Sequence, residues 1–403
     1  MNHTYRIIPV YTGDVSGVAS ALYELGGMVV IHDPSGCNST YNTHDETRWY
    51  DKESLIFISG LAERDAVLGN DKKLIADVME AALELYPAFI ALTNSPIPFM
   101  NGTDFHAIAK IIGERTGIPT FYVPANGMHD YTSGAGAAFA ALAGFMDKGG
   151  AAATDTTACG KKGAAVRINL LGVTPLDFDA AGAVDKMEQM LTEQGFEVVA
   201  NLGMGAHAQN WRSAAQAQVN LVVSATGLPL AKELYQRYQI PYVVGTPTGA
   251  FAKILVEALQ KAAQTGENVD AFQMAFSRVD ATEAQNRVLI GEAVTMKSVA
   301  AALALEKGEL WRVICPLENG AELLSRTDAH TRGEEELEEL LAQLAKDPLT
   351  VVADPLYEPI LPQNARFVPL SHEAFSGRCF AKQRLGTVGA PADAVEYIKK
   401  MVW

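Results

Sequence analysis

The chain has 403 residues, of which 48% are hydrophobic and 20% charged, and a formal net charge of −15. The length exceeds one ordinary core and suits two or three domains, and the composition is that of a folded protein rather than a disordered one. The acidic balance excludes nucleic acid or an anionic membrane surface as the main partner.

The first residues, MNHTYRIIPVYTGD, lack the basic segment and apolar run of a signal peptide, and no apolar stretch reaches spanning length. The expected compartment is therefore the cytoplasm. The four cysteines, Cys37, Cys159, Cys315 and Cys379, stand far apart with no C-x-x-C spacing. That pattern argues against a disulfide framework and against a self-contained zinc or iron–sulfur motif. A cluster would need ligands from distant segments or from another chain.

Short apolar runs then alternate with amphipathic stretches. MVVIHD (28–33), LIFIS (55–59), FIALT (89–93) and TFYVP (120–124) read as buried parallel strands. Val18, Ala21, Leu22 and Leu25, and again Leu74, Val78, Ala81, Ala82 and Leu85, mark helical faces between them. The Gly-rich stretch 148–163 reads as a linker holding an incidental Cys159. The strands AVRINLLG (165–172), FEVVANLG (196–203), VNLVVSA (219–225) and PYVVGTP (241–247) follow. A third series is RVLIGE (287–292), LWRVICP (310–316), LTVVADP (349–355) and RFVPL (366–370), with Cys315 as a core thiol. Thr331 and Glu334 suggest a capping box before a helix whose stripe is Leu337, Leu340, Leu341 and Leu344.

This pattern predicts an α/β fold of three Rossmann-like domains with parallel sheets around a central cleft, over residues 1–148, 164–270 and 285–403. Ligands in such sheets bind beyond the carboxyl ends of the strands. The rims include 33–38, 93–98, 172–177, 225–227 and 316–320. The densest is 31–51. There Pro34 and Gly36 turn the chain and Cys37 follows among Asp33, Tyr41, Asn42, His44, Asp45 and Arg48. A thiolate needs donors or a metal nearby, and the alternative is a capping loop with a structural thiol. A second rich stretch, 351–380, offers His372 and Arg378 either to the cleft or to packing. There is no P-loop and only a fragment of a dinucleotide fingerprint at Gly203-Met204-Gly205.

Taken in order, several of these stretches resemble the nitrogenase component 1 family. They are His32-Asp33-Pro34-Ser35-Gly36-Cys37, the run ending Gly69-Asn70-Asp71-Lys72-Lys73-Leu74, Asn169-Leu170-Leu171-Gly172, and Ile240-Pro241-Tyr242 leading to Pro247 and Gly249. The resemblance spans residues 5–380. It implies a subunit of a homodimer, or of a heteromer with a paralogous component 1 subunit. It also implies an iron–sulfur cluster, of the 4Fe–4S kind, shared between subunits and ligated by Cys37. A separate ATP-dependent iron protein would deliver electrons. Gly36, Asp33, His44 and Asp45 would adjoin or complete the cluster site, and Tyr41, Asn42 and His372 would line a substrate cleft. The departures matter too. The segment before Cys37 and the strand end Thr93-Asn94-Ser95 carry no cysteine, and Ser224-Ala225-Thr226 stands where a cofactor-anchoring cysteine would be expected. The resemblance thus implies a nitrogenase-like oxidoreductase that reduces a small or unsaturated molecule, not dinitrogen. The alternatives are a non-catalytic cluster or cofactor assembly scaffold, or a metal-free ligand-binding protein.

Overall fold

The structure is a computed structural model. It describes residues 6–8, 11–34, 46–146, 165–178, 182–206, 210–280, 282–377 and 391–403. The predicted linker and the segment holding Gly36, Cys37, Tyr41, Asn42, His44 and Asp45 lie outside them, as do Cys159, Arg378 and Cys379.

Among the described residues the strands form three sheets, each parallel throughout. The first contains β1 (Met28–His32), β2 (Leu55–Ile58), β3 (Ile90–Asn94) and β4 (Thr120–Tyr122), in the order β2-β1-β3-β4. The second repeats that order with β5 (Val166–Val173), β6 (Phe196–Gly203), β7 (Val219–Val222) and β8 (Tyr242–Val244). The third adds one strand. It holds β9 (Thr282–Ile290), β10 (Glu309–Cys315), β11 (Ala329–His330), β12 (Leu349–Ala353) and β13 (Ala365–Pro369), in the order β11-β10-β9-β12-β13.

The strands read as unbroken apolar runs because both faces are covered. In β1, Val29 and Ile31 enter the core shared with the second sheet, whereas Met28 and Val30 enter a separate cluster with Leu74, Val78 and Phe105. The predicted strands fall where the sequence placed them, except that β9 begins at Thr282, ahead of the predicted start at Arg287 and of the expected domain boundary at 285. The two-residue edge strand β11 was not foreseen, being too short to carry a pattern.

The helix stripes hold with one exception. Leu74, Val78 and Ala82 are buried, but Leu85 is 39% exposed. The helix Lys72–Leu85 stops there, because Tyr86 turns left-handed at φ 48°. The capping box is not formed. Gly333 is the N-cap, and the Glu334 carboxylate instead accepts the backbone N–H groups of Arg6, Ile7 and Ile8 at 2.9, 2.8 and 3.0 Å. Donors from more than three hundred residues away outcompete the local cap, and only the fold brings them there.

The first two sheets are joined by the crossing of the helices Asp14–Leu22 and Tyr131–Leu142, at two glycines. A Cβ on Gly17 would meet Tyr131 O at 2.3 Å, and one on Gly134 would meet Asp14 O at 1.9 Å. Both obstacles are backbone and neither can step aside. Gly134→Ala is expected to cost about 1–3 kcal/mol by overpacking. A urea-melt midpoint equal to that of the parent would contradict the crossing.

Candidate functional site

The carboxyl ends of the strands carry two polar centres. The first lies where the winding of the first sheet reverses, between β1 and β3. Crevices at such switch points are the usual ligand sites of open parallel sheets. His32 ends β1 and is buried, its Nδ1 2.7 Å from Ser59 Oγ at the end of β2. Burial pushes its pKa down to about 4 against the opposing charge of Asp33, so the imidazole is neutral. Asp33 is also buried. Its backbone N–H donates to Ser59 Oγ at 3.2 Å, and its carbonyl accepts from Leu61 N at 2.8 Å. On the β3 side Tyr122 donates to Asn94 Oδ1 at 2.7 Å, and Ser95 N donates to His32 O at 3.2 Å. Two hydroxyls here, Thr93 Oγ1 and Ser95 Oγ, are buried without a hydrogen-bond partner among the described residues. Buried hydroxyls of this kind most simply take a water, and can also take an ion or ligand.

The second centre lies where the ends of the three sheets meet. Asp177, in the turn after β5, is completely enclosed. Its Oδ1 accepts from the Tyr131 hydroxyl and from His372 Nε2 at 3.0 Å, and its Oδ2 accepts from Ser224 Oγ at 2.5 Å. One carboxylate thus binds side chains from the helix following the first sheet, the end of β7, and the segment after β13. Burial pushes the His372 pKa down, but the hydrogen bond and charge of Asp177 outweigh it and hold it above the ordinary value. Burial, and then Asp177, push the Tyr131 phenol up. His372 is tied further by its backbone N–H to Asp354 Oδ2 at 2.7 Å, a carboxylate that also receives Ser376 Oγ at 2.8 Å. His372 Nδ1 has no partner among the described residues.

Glu292 sits in the same interior. It caps the helix Ala293–Lys307 through Val294 N and Thr295 N at 2.9 and 2.8 Å, and reaches across to Ala225 N at 3.0 Å. Burial and the charge of Asp177 raise its pKa to about 7 against those three N–H groups. Small residues close the ends of the strands together. A Cβ on Gly172 would lie 2.7 Å from Gly227 N, and one on Gly320 2.7 Å from the Ala293 Cβ.

Of the predicted site residues, Asp33 stands at the first centre. His372 is buried in the second, on Asp177, rather than on an open wall. Gly36, Cys37, Tyr41, Asn42, His44 and Asp45 lie outside the described residues. Sequence reasoning did not single out Asp177, Tyr131 or Glu292. The only signal was that Asp177 closes one of the strand-end rims. Among the described residues no group of three or more His, Cys, Asp or Glu side chains is arranged to hold a metal. The described thiol, Cys315, does not fit a cluster ligand. It is fully buried, donates to Leu317 O at 3.7 Å, and burial pushes its pKa well up.

Three parallel sheets whose strand ends converge, with a polar switch point at the end of β1, define the class as an α/β protein of several Rossmann-like sheets. The family model described as nitrogenase component 1 type oxidoreductase matches residues 16–314, and the chain belongs to that family. The nitrogenase iron-molybdenum cofactor biosynthesis protein NifE of Clostridium pasteurianum is 30% identical over 219 residues, covering 53% of this chain and 45% of that protein. NifE of Klebsiella pneumoniae is 24% identical over 237 residues, covering 54% and 48%. A light-independent protochlorophyllide reductase subunit of Gloeothece citriformis is 32% identical over 106 residues, covering 26% and 21%. The matched regions span about half the length, or less, of these curated relatives. Among solved structures, nitrogenase Cp1 at pH 5 superposes with a TM-score of 0.65 at 14% identity, over 100% of this chain and 90% of that one. At that identity the likeness is one of fold. Among the described residues no helix is long and apolar enough to cross a membrane.

Proposed function

We propose that the chain is a cytoplasmic iron–sulfur subunit of component 1 type, with domains over 1–148, 164–270 and 285–403. In this reading Cys37 ligates a 4Fe–4S cluster at a subunit interface, in a homodimer or with a paralogous partner. Asp33 adjoins it, and Gly36, His44 and Asp45 flank it. A separate ATP-dependent iron protein supplies electrons for reducing a small or unsaturated molecule other than dinitrogen, with Tyr41 and Asn42 on the substrate side; His372, buried on Asp177, is not assigned there. The observation that carries the reading is the β1/β3 switch point. It has a buried carboxylate and two orphan hydroxyls within the strand ends from which the Cys37 loop departs. The bound group would supply one-electron chemistry, and its potential would follow burial and the hydrogen bonds around it.

One observation favours a second reading, a non-catalytic assembly scaffold. The three-sheet junction is closed around Asp177, and His372 is committed to that carboxylate. The similarity to proteins named for cofactor biosynthesis points the same way.

Anaerobically purified protein is expected to contain iron and sulfide with a paramagnetic signal on reduction, and Cys37→Ala to lose most of both. Full iron in that variant would refute the ligand assignment. Protein free of iron would leave the metal-free binding reading. Substrate turnover that requires an added iron protein and ATP separates the reductase from the scaffold.

A further inference from the structure

Of the large hydrophobic side chains exposed among the described residues, six lie on one face of the first sheet. Val67 and Leu68 end the helix Glu63–Leu68 beyond β2. Ile97, Phe99 and Met100 belong to the helix Pro96–Met100 beyond β3, and Met128 lies in the loop beyond β4. Because the strands are parallel, all three segments emerge at the same end of the sheet. Two contacts join them into one surface. Asn101 Nδ2 donates to Ala66 O at 3.4 Å, which sets the ends of the two helices side by side. A Cβ on Gly127 would lie 3.0 Å from Pro96 Cγ, so the loop beyond β4 abuts the start of the helix Pro96–Met100.

The area suits a stable contact. Together the six side chains present on the order of 600 Å² of apolar surface, as much as the largest patch a monomeric protein ordinarily leaves open. A standard interface takes about 800 Å² from each partner, and in homodimers about 65% of it is apolar. The patch therefore supplies the apolar share of one side, with only a polar rim to add. The charge pattern favours a second copy of this chain as the occupant. At a net −15, two copies repel wherever their acidic surfaces face each other. The segments 95–103 and 125–128 carry no charged residue. Nearby positions carry both signs, Arg64 and Lys72 against Glu63, Asp65, Asp71 and Asp104. A two-fold contact sets the patch against itself, so a rim of mixed sign is self-complementary. A strongly charged partner would call for a rim of one sign.

We propose that this face, centred on Leu68 and Met100, is where a second copy of the chain docks to form a two-fold dimer. It rests on the proposed function only in taking subunits to pair, and it narrows that pairing to a second copy.

The test is sedimentation of the full-length protein at micromolar concentration. Met100→Glu and Leu68→Glu each place a charge in the contact, and the two-fold axis doubles it. Each is expected to weaken the dimer at least about a hundredfold. Both positions are exposed in the single chain, so the variants should keep the parental circular dichroism spectrum. Leu83→Glu is the control. Leu83 is 62% exposed near the end of the helix Lys72–Leu85, where the chain returns to the start of β3, and its variant should remain dimeric. A parental protein that stays monomeric overturns the proposal, as does a dimer that survives both substitutions. A chain that pairs only with a paralogous subunit overturns it in favour of that occupant. Iron analysis of the same samples separates this idea from the proposed function. An iron-containing monomer sinks the interface alone. An iron-free dimer that Met100→Glu dissociates sinks the iron–sulfur reading and leaves the interface standing.

Discussion

Asp177→Ala is expected to be among the most damaging single substitutions in this protein, costing about 3–5 kcal/mol, the usual loss when one partner of a buried ion pair is removed. The carboxylate accepts from Tyr131, Ser224 and His372, all inaccessible to solvent. Alanine leaves three buried donors with no acceptor and a cavity too small to rehydrate them well. It also removes a side chain that bonds to segments of all three sheets. Asp177→Asn should be milder, because one oxygen remains. Urea denaturation would show the difference as a shift of midpoint. Amide exchange should locate the opening around 370–377, since Ala374 N donates to Leu176 O beside Asp177. A loss below about 1 kcal/mol for the alanine variant would mean that packing, not this carboxylate, holds the junction.

The same junction should make stability fall as the pH rises. Glu292 has its folded pKa raised to about 7. Between the ordinary carboxylate range and about pH 7 the unfolded chain has released this proton while the folded chain retains it. Stability follows the difference in bound protons, unfolded minus folded, which is negative there. The contribution therefore declines across that window and levels off above it, by on the order of 3 kcal/mol at most. His372 is also raised, so its contribution is complete below the unfolded histidine value and is lost as the pH passes its folded value. Asp130 and Asp354, raised chiefly by burial, act in the same direction. Glu334 opposes them. Burial pushes it up, but the N–H groups of Ile7, Ile8 and Arg6 outweigh that and hold it below the usual range. The expected result is a melting temperature higher near pH 5.5 than near pH 8, with the slope reduced in Glu292→Gln. A profile that rises with pH, or a slope the variant leaves intact, would refute the assignment.

The strands were legible because each is a short apolar run covered on both faces, so that hydrophobicity alone reports them. MVVIH and LTVVA needed no further context. Repetition of the run–helix pattern made the three-sheet architecture legible as well. Helix ends were less secure. Asp71 occupies the N-cap of the helix Lys72–Leu85 without a side-chain capping bond, and Glu334 left its own helix for donors supplied by residues 6–8.

Of the candidate site, the sequence by itself determined that chemistry gathers where the strands end. It marked Asp33 and the Cys37 loop because polar and turn residues there crowd into one stretch of chain. Only the tertiary structure decided which of these groups share an environment. Asp177, Tyr131, Ser224 and His372 lie far apart in sequence, and although His372 and Ser224 each drew notice, nothing local joined them to Asp177 or Tyr131. They form one buried centre because three sheet ends meet, and a carboxylate excluded from water must find its donors wherever the fold presents them. Arg48 is the intermediate case. The sequence placed it in the dense stretch beside Cys37, and the fold alone placed it between Glu24 and Glu46. Local pattern reports burial along the chain, whereas pairing across it is a property of the packed core.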